Sequence, residues 1–137
     1  MPPGPNATVV IHRASGQKFE QLGPYGIESL IEPDEEAAGT AYRVRIGPHS
    51  RTAISYHKRA EEYYFVLAGA GTALLDGRPV PLRTGDFLRL PPGTTHGFIT
   101  EAEPLEMLDL HTPGSRPDRD VYFVGDAPEG FRNDRDG

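Results

Sequence analysis

Apolar residues along this chain recur with the two-residue period of strands. In Ala41-Tyr42-Arg43-Val44-Arg45-Ile46, Tyr42, Val44 and Ile46 share one face while Arg43 and Arg45 share the other, the alternation of a strand with one side against a core. Further short runs predict strands over 63–68, 72–75, 87–90, 96–100, 105–111 and 121–124. Each run ends at turn-forming residues. Asp76-Gly77 signals a tight hairpin, because both central residues of such a turn take positive φ and this pair tolerates it. Pro91-Pro92-Gly93 predicts a second turn, with proline fixing φ and glycine supplying the left-handed position. The helical signal is confined to Pro33-Asp34-Glu35-Glu36-Ala37-Ala38, one turn stopped by Gly39. Regularly spaced short strands predict an all-β fold, an antiparallel barrel or jelly roll.

Length fits one domain: 137 residues bury a substantial core but are too few for two ordinary domains. We expect a flexible arm over 1–8, a single barrel domain over 9–125 and a mobile tail over 126–137. The 16 Gly and 14 Pro agree with many turns and short strands. Net charge is −6, and the basic residues are scattered rather than gathered in a stripe, so nucleic acid is excluded as a partner. There is no Cys, hence no disulfide framework and no thiolate nucleophile. The amino terminus lacks the basic start and apolar run of a signal peptide, and no segment has the length to span a bilayer. A cytoplasmic protein without membrane contact is expected. Tyr63-Tyr64-Phe65-Val66-Leu67 is apolar on both faces, so its outer side needs a cover. Either the amino-terminal segment or a second subunit would serve, and a homodimer is the expectation.

Two stretches carry the candidate chemistry. In the first, His57 is followed after four residues by Glu62 and after six more by Gly69; in the second, Gly85, Pro91, Gly93 and His96 stand at fixed spacing. These resemble the paired motifs of the cupin superfamily. The resemblance, carried by residues from about 43 to 111, implies a cupin-type jelly roll, also described as a double-stranded β-helix barrel. It implies that His57, Glu62 and His96 hold a divalent transition metal. Two histidines and one carboxylate suit Fe, and also Mn, Ni or Zn. Two positions depart from the family pattern: Ser55 stands where the first histidine belongs, and Thr100 where the second motif ends in Asn.

Strand parity refines the picture. Ser55 and His57 share a face, whereas His57 and Glu62 would point oppositely on one unbroken strand. A turn at Lys58-Arg59-Ala60 removes the conflict and starts a new strand with Glu62, Tyr64 and Val66 on one side. Along 105–111, Asp109 and His111 share a face with Leu105 and Met107, and the pattern allows that face to point inward or outward. His111 or His49 could replace the missing imidazole, although His49, beside Gly47-Pro48, reads as a loop residue. Tyr64, His111 and His49 are the candidates for a general acid or base. Ser55, Phe98, Arg43, Arg45 and Arg89 are candidate pocket residues, the arginines for holding an anionic group. No role is assigned to His12.

The superfamily includes isomerases, cyclases, decarboxylases, dioxygenases and binding modules, so the fold does not choose among them. Two readings follow. One is a metal-dependent enzyme acting on an oxygenated small molecule, such as a sugar derivative, a hydroxy or keto acid or a polyketide. The other is a ligand-binding or sensory protein that lost its metal together with the first histidine.

Overall fold

The computed structural model describes residues 9–13, 19–32, 38–117, 119–126 and 128. The arm expected over 1–8, most of the helical turn expected at 33–38 and most of the tail from 126 lie outside them. Ten antiparallel strands occur among the described residues: β1 (Glu20–Leu22), β2 (Tyr25–Ser29), β3 (Thr40–Ile46), β4 (Ser55–Tyr56), β5 (Glu61–Leu75), β6 (Arg78–Arg83), β7 (Phe87–Leu90), β8 (His96–Ile99), β9 (Leu105–Thr112) and β10 (Tyr122–Phe123). No helix of the described residues is long and apolar enough to cross a membrane.

The architecture is organised by β5, whose two halves belong to two layers. Its first half pairs with β9 and β7, extending a layer that runs through β3 and β2 to β1. Its second half pairs with β6 and β8, and β8 continues through β4 to β10. The sequence predicted separate strands over 63–68 and 72–75; they are one 15-residue strand. Gly69-Ala70-Gly71 looks like a break but acts as a bend, because a register shift between Val66 and Ala68 and the positive φ of Gly69 (84°) let pairing continue through it. A Cβ at position 69 would also overlap the carbonyl oxygen of Pro104, so glycine is required there twice over.

Four strands escaped the sequence pattern. Glycine and glutamate interrupt the apolar alternation of β2, β1 and β4 are very short, and Pro79 and Pro81 disguise β6. Proline is tolerated in β6 because this strand lies at a sheet edge. The Asp76-Gly77 hairpin forms as expected, both residues at positive φ, and the Asp76 carboxylate accepts the Thr95 N–H at 2.9 Å.

Between the layers lies a core of Val44, Ile46, Val66, Leu90, Phe98, Leu105 and Met107 with their neighbours. Burying each large side chain contributes roughly 1.5–3 kcal/mol. The outer face of the first layer differs. Phe65, Leu67, Phe87 and Leu110 remain 38–60% exposed there, and Phe65 lies opposite both Phe87 and Leu108 in the ladders. Elsewhere on that face Glu28 is fully buried, with His12 at 2.8 Å and Arg43 at 3.7 Å. His12 therefore fastens the 9–13 segment across β2.

Candidate functional site

Parity along β5 turns Glu62, Tyr64 and Val66 inward. The direction left open for β9 is settled by burial: Leu105, Met107, Asp109 and His111 face the interior and Leu110 faces out. The bend at Lys58-Arg59 reverses the chain as expected, so that His57 reaches the same interior from the end of β4. Register then completes the site. Glu62 lies directly opposite His111, and Ser55 opposite His96.

Glu62 is the centre of the cluster. Its Oε1 lies 3.2 Å from His57 Nε2 and 3.0 Å from His96 Nε2, and its Oε2 lies 2.8 Å from His111 Nε2. All four side chains are buried. Ligand atoms of His57, Glu62 and His111 lie within 4.8 Å of one another. The sequence nominated His57, Glu62 and His96, with His111 as a possible replacement. The structure gathers all four, and His111 on β9 contributes a third imidazole where Ser55 has none.

The outward nitrogens fix the tautomers. His57 Nδ1 donates to the Asp120 carbonyl at 2.6 Å, and His96 Nδ1 to the Thr94 carbonyl at 3.1 Å, since a carbonyl can only accept. Thr40 spends its hydroxyl proton on the Ser115 carbonyl, so at 3.3 Å from His111 Nδ1 it acts as acceptor. Each neutral ring therefore presents its Nε2 lone pair to the cavity, the orientation that outer hydrogen bonds impose on metal-binding histidines. Lone pairs facing carboxylate oxygens at about 3 Å repel. Glu62 Oε1 is accordingly buried without a hydrogen-bond partner, a costly state for an ionised oxygen. A cation among these atoms, or protons on the imidazoles, resolves the conflict. The donor set fits a divalent transition metal.

The electrostatics follow the same geometry. Burial pushes the Glu62 carboxyl up, but the charges of His111, His96 and His57 outweigh it and hold it well below the usual carboxylate range. Burial opposes protonation of His57, yet the adjacent Glu62 carboxylate leaves its pKa raised. Asp109 goes the other way. Burial first, and the charge of Glu62 next, hold its carboxyl well above the usual range, so it stays protonated and donates to Glu62. Burial also lifts the Tyr64 phenol well above its ordinary value. Tyr64 and Asp109 are thus proton donors against the floor of the site.

The cluster lines a cavity of about 540 Å³, counting the space at its open mouth, together with Tyr25, Ile27, Tyr42, Val44, Tyr64 and Phe123. Ser55 lines the floor as expected. Phe98 does not line it. Fully buried, it packs edge-on behind Tyr64 at 5.1 Å. His49 occupies an exposed turn at φ 54° outside the cavity. The three arginines expected at the pocket also lie elsewhere, because they alternate with inward residues. Arg43 and Arg45 meet Glu106 on the outer face, and Arg89 meets Glu61.

Two contributors left no signal in the sequence. Asp120, at φ 57°, accepts the backbone N–H groups of Lys58, Arg59 and Ala60 at 2.9–3.2 Å and so builds the turn that delivers His57 and Glu62. Ser115 Oγ touches His57 Nδ1 at 3.1 Å. Thr100, the other departure from the motif, spends its hydroxyl on the loop before β4, accepting the Ser50 N–H at 2.9 Å and donating to the Gly47 carbonyl. It carries a structural task that a hydroxyl performs well.

Residues 42–111 match the family model described as Cupin domain. Protein SchB of Streptomyces halstedii is 30% identical over 100 residues, 72% of either chain. Among solved structures, the polyketide cyclase RemF from Streptomyces resistomycificus superposes with a TM-score of 0.68 at 20% identity, covering 89% of this chain and 91% of that one. The Streptomyces nucleoside dehydratase Pac13 gives 0.63 at 19% identity, covering 84% and 92%.

Proposed function

The chain belongs to the cupin family, and on that premise we propose that it is a small metal-dependent enzyme acting on an oxygenated small molecule in the cavity above Glu62. A sugar derivative, a hydroxy or keto acid and a polyketide are all of suitable chemistry. The observation that carries this reading is the convergence of three Nε2 lone pairs on a buried carboxylate whose Oε1 lacks a donor. Fe, Mn, Ni or Zn would be held by His57, Glu62 and His111, with His96 completing the set, and would supply Lewis-acid or oxygen-activating chemistry. The chain's own groups do the rest. Asp120, Ser115, Thr94 and Thr40 hold the imidazoles in one tautomer. Burial raises the pKa of Tyr64 and Asp109 alike, and both line the cavity, placed to donate a hydrogen bond to a developing negative charge. The aromatic and branched walls exclude water from the substrate body. The exposed apolar face around Phe65 supports pairing of two copies into a homodimer.

A metal-free binding module is the competing reading, favoured by Ser55 at the position where the family pattern has an imidazole. Elemental analysis of protein purified without chelator separates the two. The enzyme reading expects about one transition-metal ion per chain, a lower melting temperature after chelation, and loss of metal in His57→Ala and His111→Ala. A metal-free parent whose melting is indifferent to chelator and to added metal would sink it and leave the binding module.

A further inference from the structure

Two of the buried imidazoles rest on one residue. Ser115 is 1% exposed, and its three polar groups reach three different parts of the site. Its hydroxyl shares its proton between the carbonyls of Arg119 and Asp120, at 3.1 and 3.3 Å, and accepts from His57 Nδ1 at 3.1 Å. Its N–H donates to Thr40 Oγ1 at 3.0 Å, and that same oxygen accepts from His111 Nδ1 at 3.3 Å. Its carbonyl accepts the hydroxyls of Thr40 and Tyr42, each at 3.0 Å. Ser115 and Tyr42 both line the cavity. The two rings that Ser115 reaches stand edge to face, centroids 4.7 Å apart at 84°.

His57 follows β4 and His111 belongs to β9, and these strands are not neighbours in the sheet order. Strand pairing therefore does not fix one ring against the other. We propose that Ser115 is a positioning residue that couples His57 to His111, and both to Tyr42, so that a disturbance behind one ring is felt at the other. Buried hydrogen bonds linked through shared groups polarise one another, and a network of them is worth more than its separate pairs. A mutual orientation set in this way brings the two Nε2 atoms to Glu62 together. This deepens the proposed function and rests on it only for the ion that the rings would hold.

The test is a double-mutant cycle read by Zn affinity, measured in competition with a chromophoric chelator. Ser115→Ala removes the hydroxyl behind His57, and Thr40→Val removes the hydroxyl behind His111. Each should weaken Zn binding about tenfold, the lower end of what an outer hydrogen-bond partner of a ligand contributes. Coupled rings make the double variant lose well short of the roughly 100-fold that independent effects would multiply to. Thr40→Ser, which keeps the hydroxyl and gives up a methyl, should bind like the parent. Losses that multiply in full would overturn the coupling, and so would a Thr40→Ser variant weaker than Thr40→Val, since Thr40 would then act by packing alone. A parent that binds no Zn would defeat the proposed function, and the coupling is then decided in metal-free protein by the NMR signals of the ring nitrogens. There Ser115→Ala should shift the resonances of both His57 and His111. A shift confined to His57, the only ring its hydroxyl touches, would overturn the proposal.

Discussion

Glu61 and Glu62 are consecutive residues of the same type on the same strand, and they have nothing else in common. Glu61 faces outward, receives two hydrogen bonds from Arg89 and one from the Tyr63 hydroxyl, and its lowered pKa comes chiefly from Arg89. Water and salt screen such a pair, so its net contribution is small. Glu62 faces inward and is 1% exposed, and there the same carboxylate stands among three imidazoles, the carboxyl of Asp109 and the phenol of Tyr64. Alternation along one strand separates a surface ion pair from a buried polar cluster.

Exchanging one glutamate at a time should expose that difference at its largest. Glu62→Ala removes the carboxylate on which three imidazole Nε2 atoms converge, and metal affinity should fall about 100-fold or more, beyond what losing an outer hydrogen-bond partner of a ligand costs. Glu61→Ala should leave metal content at the parent level. Titration of both variants with Zn or Mn, followed by elemental analysis after gel filtration, makes the comparison. Equal metal retention would mean that the inward carboxylate is not a ligand.

How much of this contrast was legible beforehand depends on the range of the interactions involved. That Glu62, Tyr64 and Val66 share one face, and the turn at 58–60, followed from local alternation, the inward direction of Glu62 from the resemblance to the cupin motifs, and the hairpin at Asp76-Gly77 from local backbone chemistry. The gathering of His57, Glu62 and His96 came from motif spacing. The arrival of His111 did not, because facing Glu62 depends on a register between β5 and β9, residues 49 apart in sequence, and parity alone left two faces open. Asp120 and Ser115 were invisible for a similar reason. They act through a backbone carbonyl, a carboxylate capping a distant turn and a hydroxyl behind a ring, none of which has a composition or a period. The arginines were misplaced because a basic residue on a strand reads the same whether it faces a cavity or solvent, and only the residues between them decide.

The next contrast is between the two buried carboxyls, Glu62 held charged and Asp109 held neutral. An unfolded Asp titrates near about 3.9, so above that pH folding requires Asp109 to regain a proton, and its contribution to stability declines as pH rises toward its elevated folded value. Asn is neutral at every pH, has nearly the same shape and can still donate to Glu62. In chelator-treated protein, Asp109→Asn should melt with the parent at about pH 4 and above it at about pH 7, the gap opening across the interval between the unfolded and folded pKa. Thermal melts at unit pH steps give the result. A gap independent of pH would show that Asp109 is not the group that titrates.

The smallest effect on stability, and the sharpest on association, is expected from the outer face of β5. Phe65 is 40% exposed at the centre of an apolar patch, with Leu108 and Phe87 opposite and Leu67 two positions along. A lysine there keeps its stem along the sheet and its ammonium in water, so the fold of one chain should change by no more than about 0.5 kcal/mol. Buried between two copies the same ammonium would have no partner, and the desolvation cost would oppose pairing. The parent should therefore sediment at twice the 15.0 kDa of one chain and Phe65→Lys at the mass of one chain, with identical metal content because residue 65 points away from the cavity. A parent sedimenting as a single chain at micromolar concentration would reject pairing. A monomeric variant that also lost metal would show that the two faces of β5 are less independent than their alternation implies.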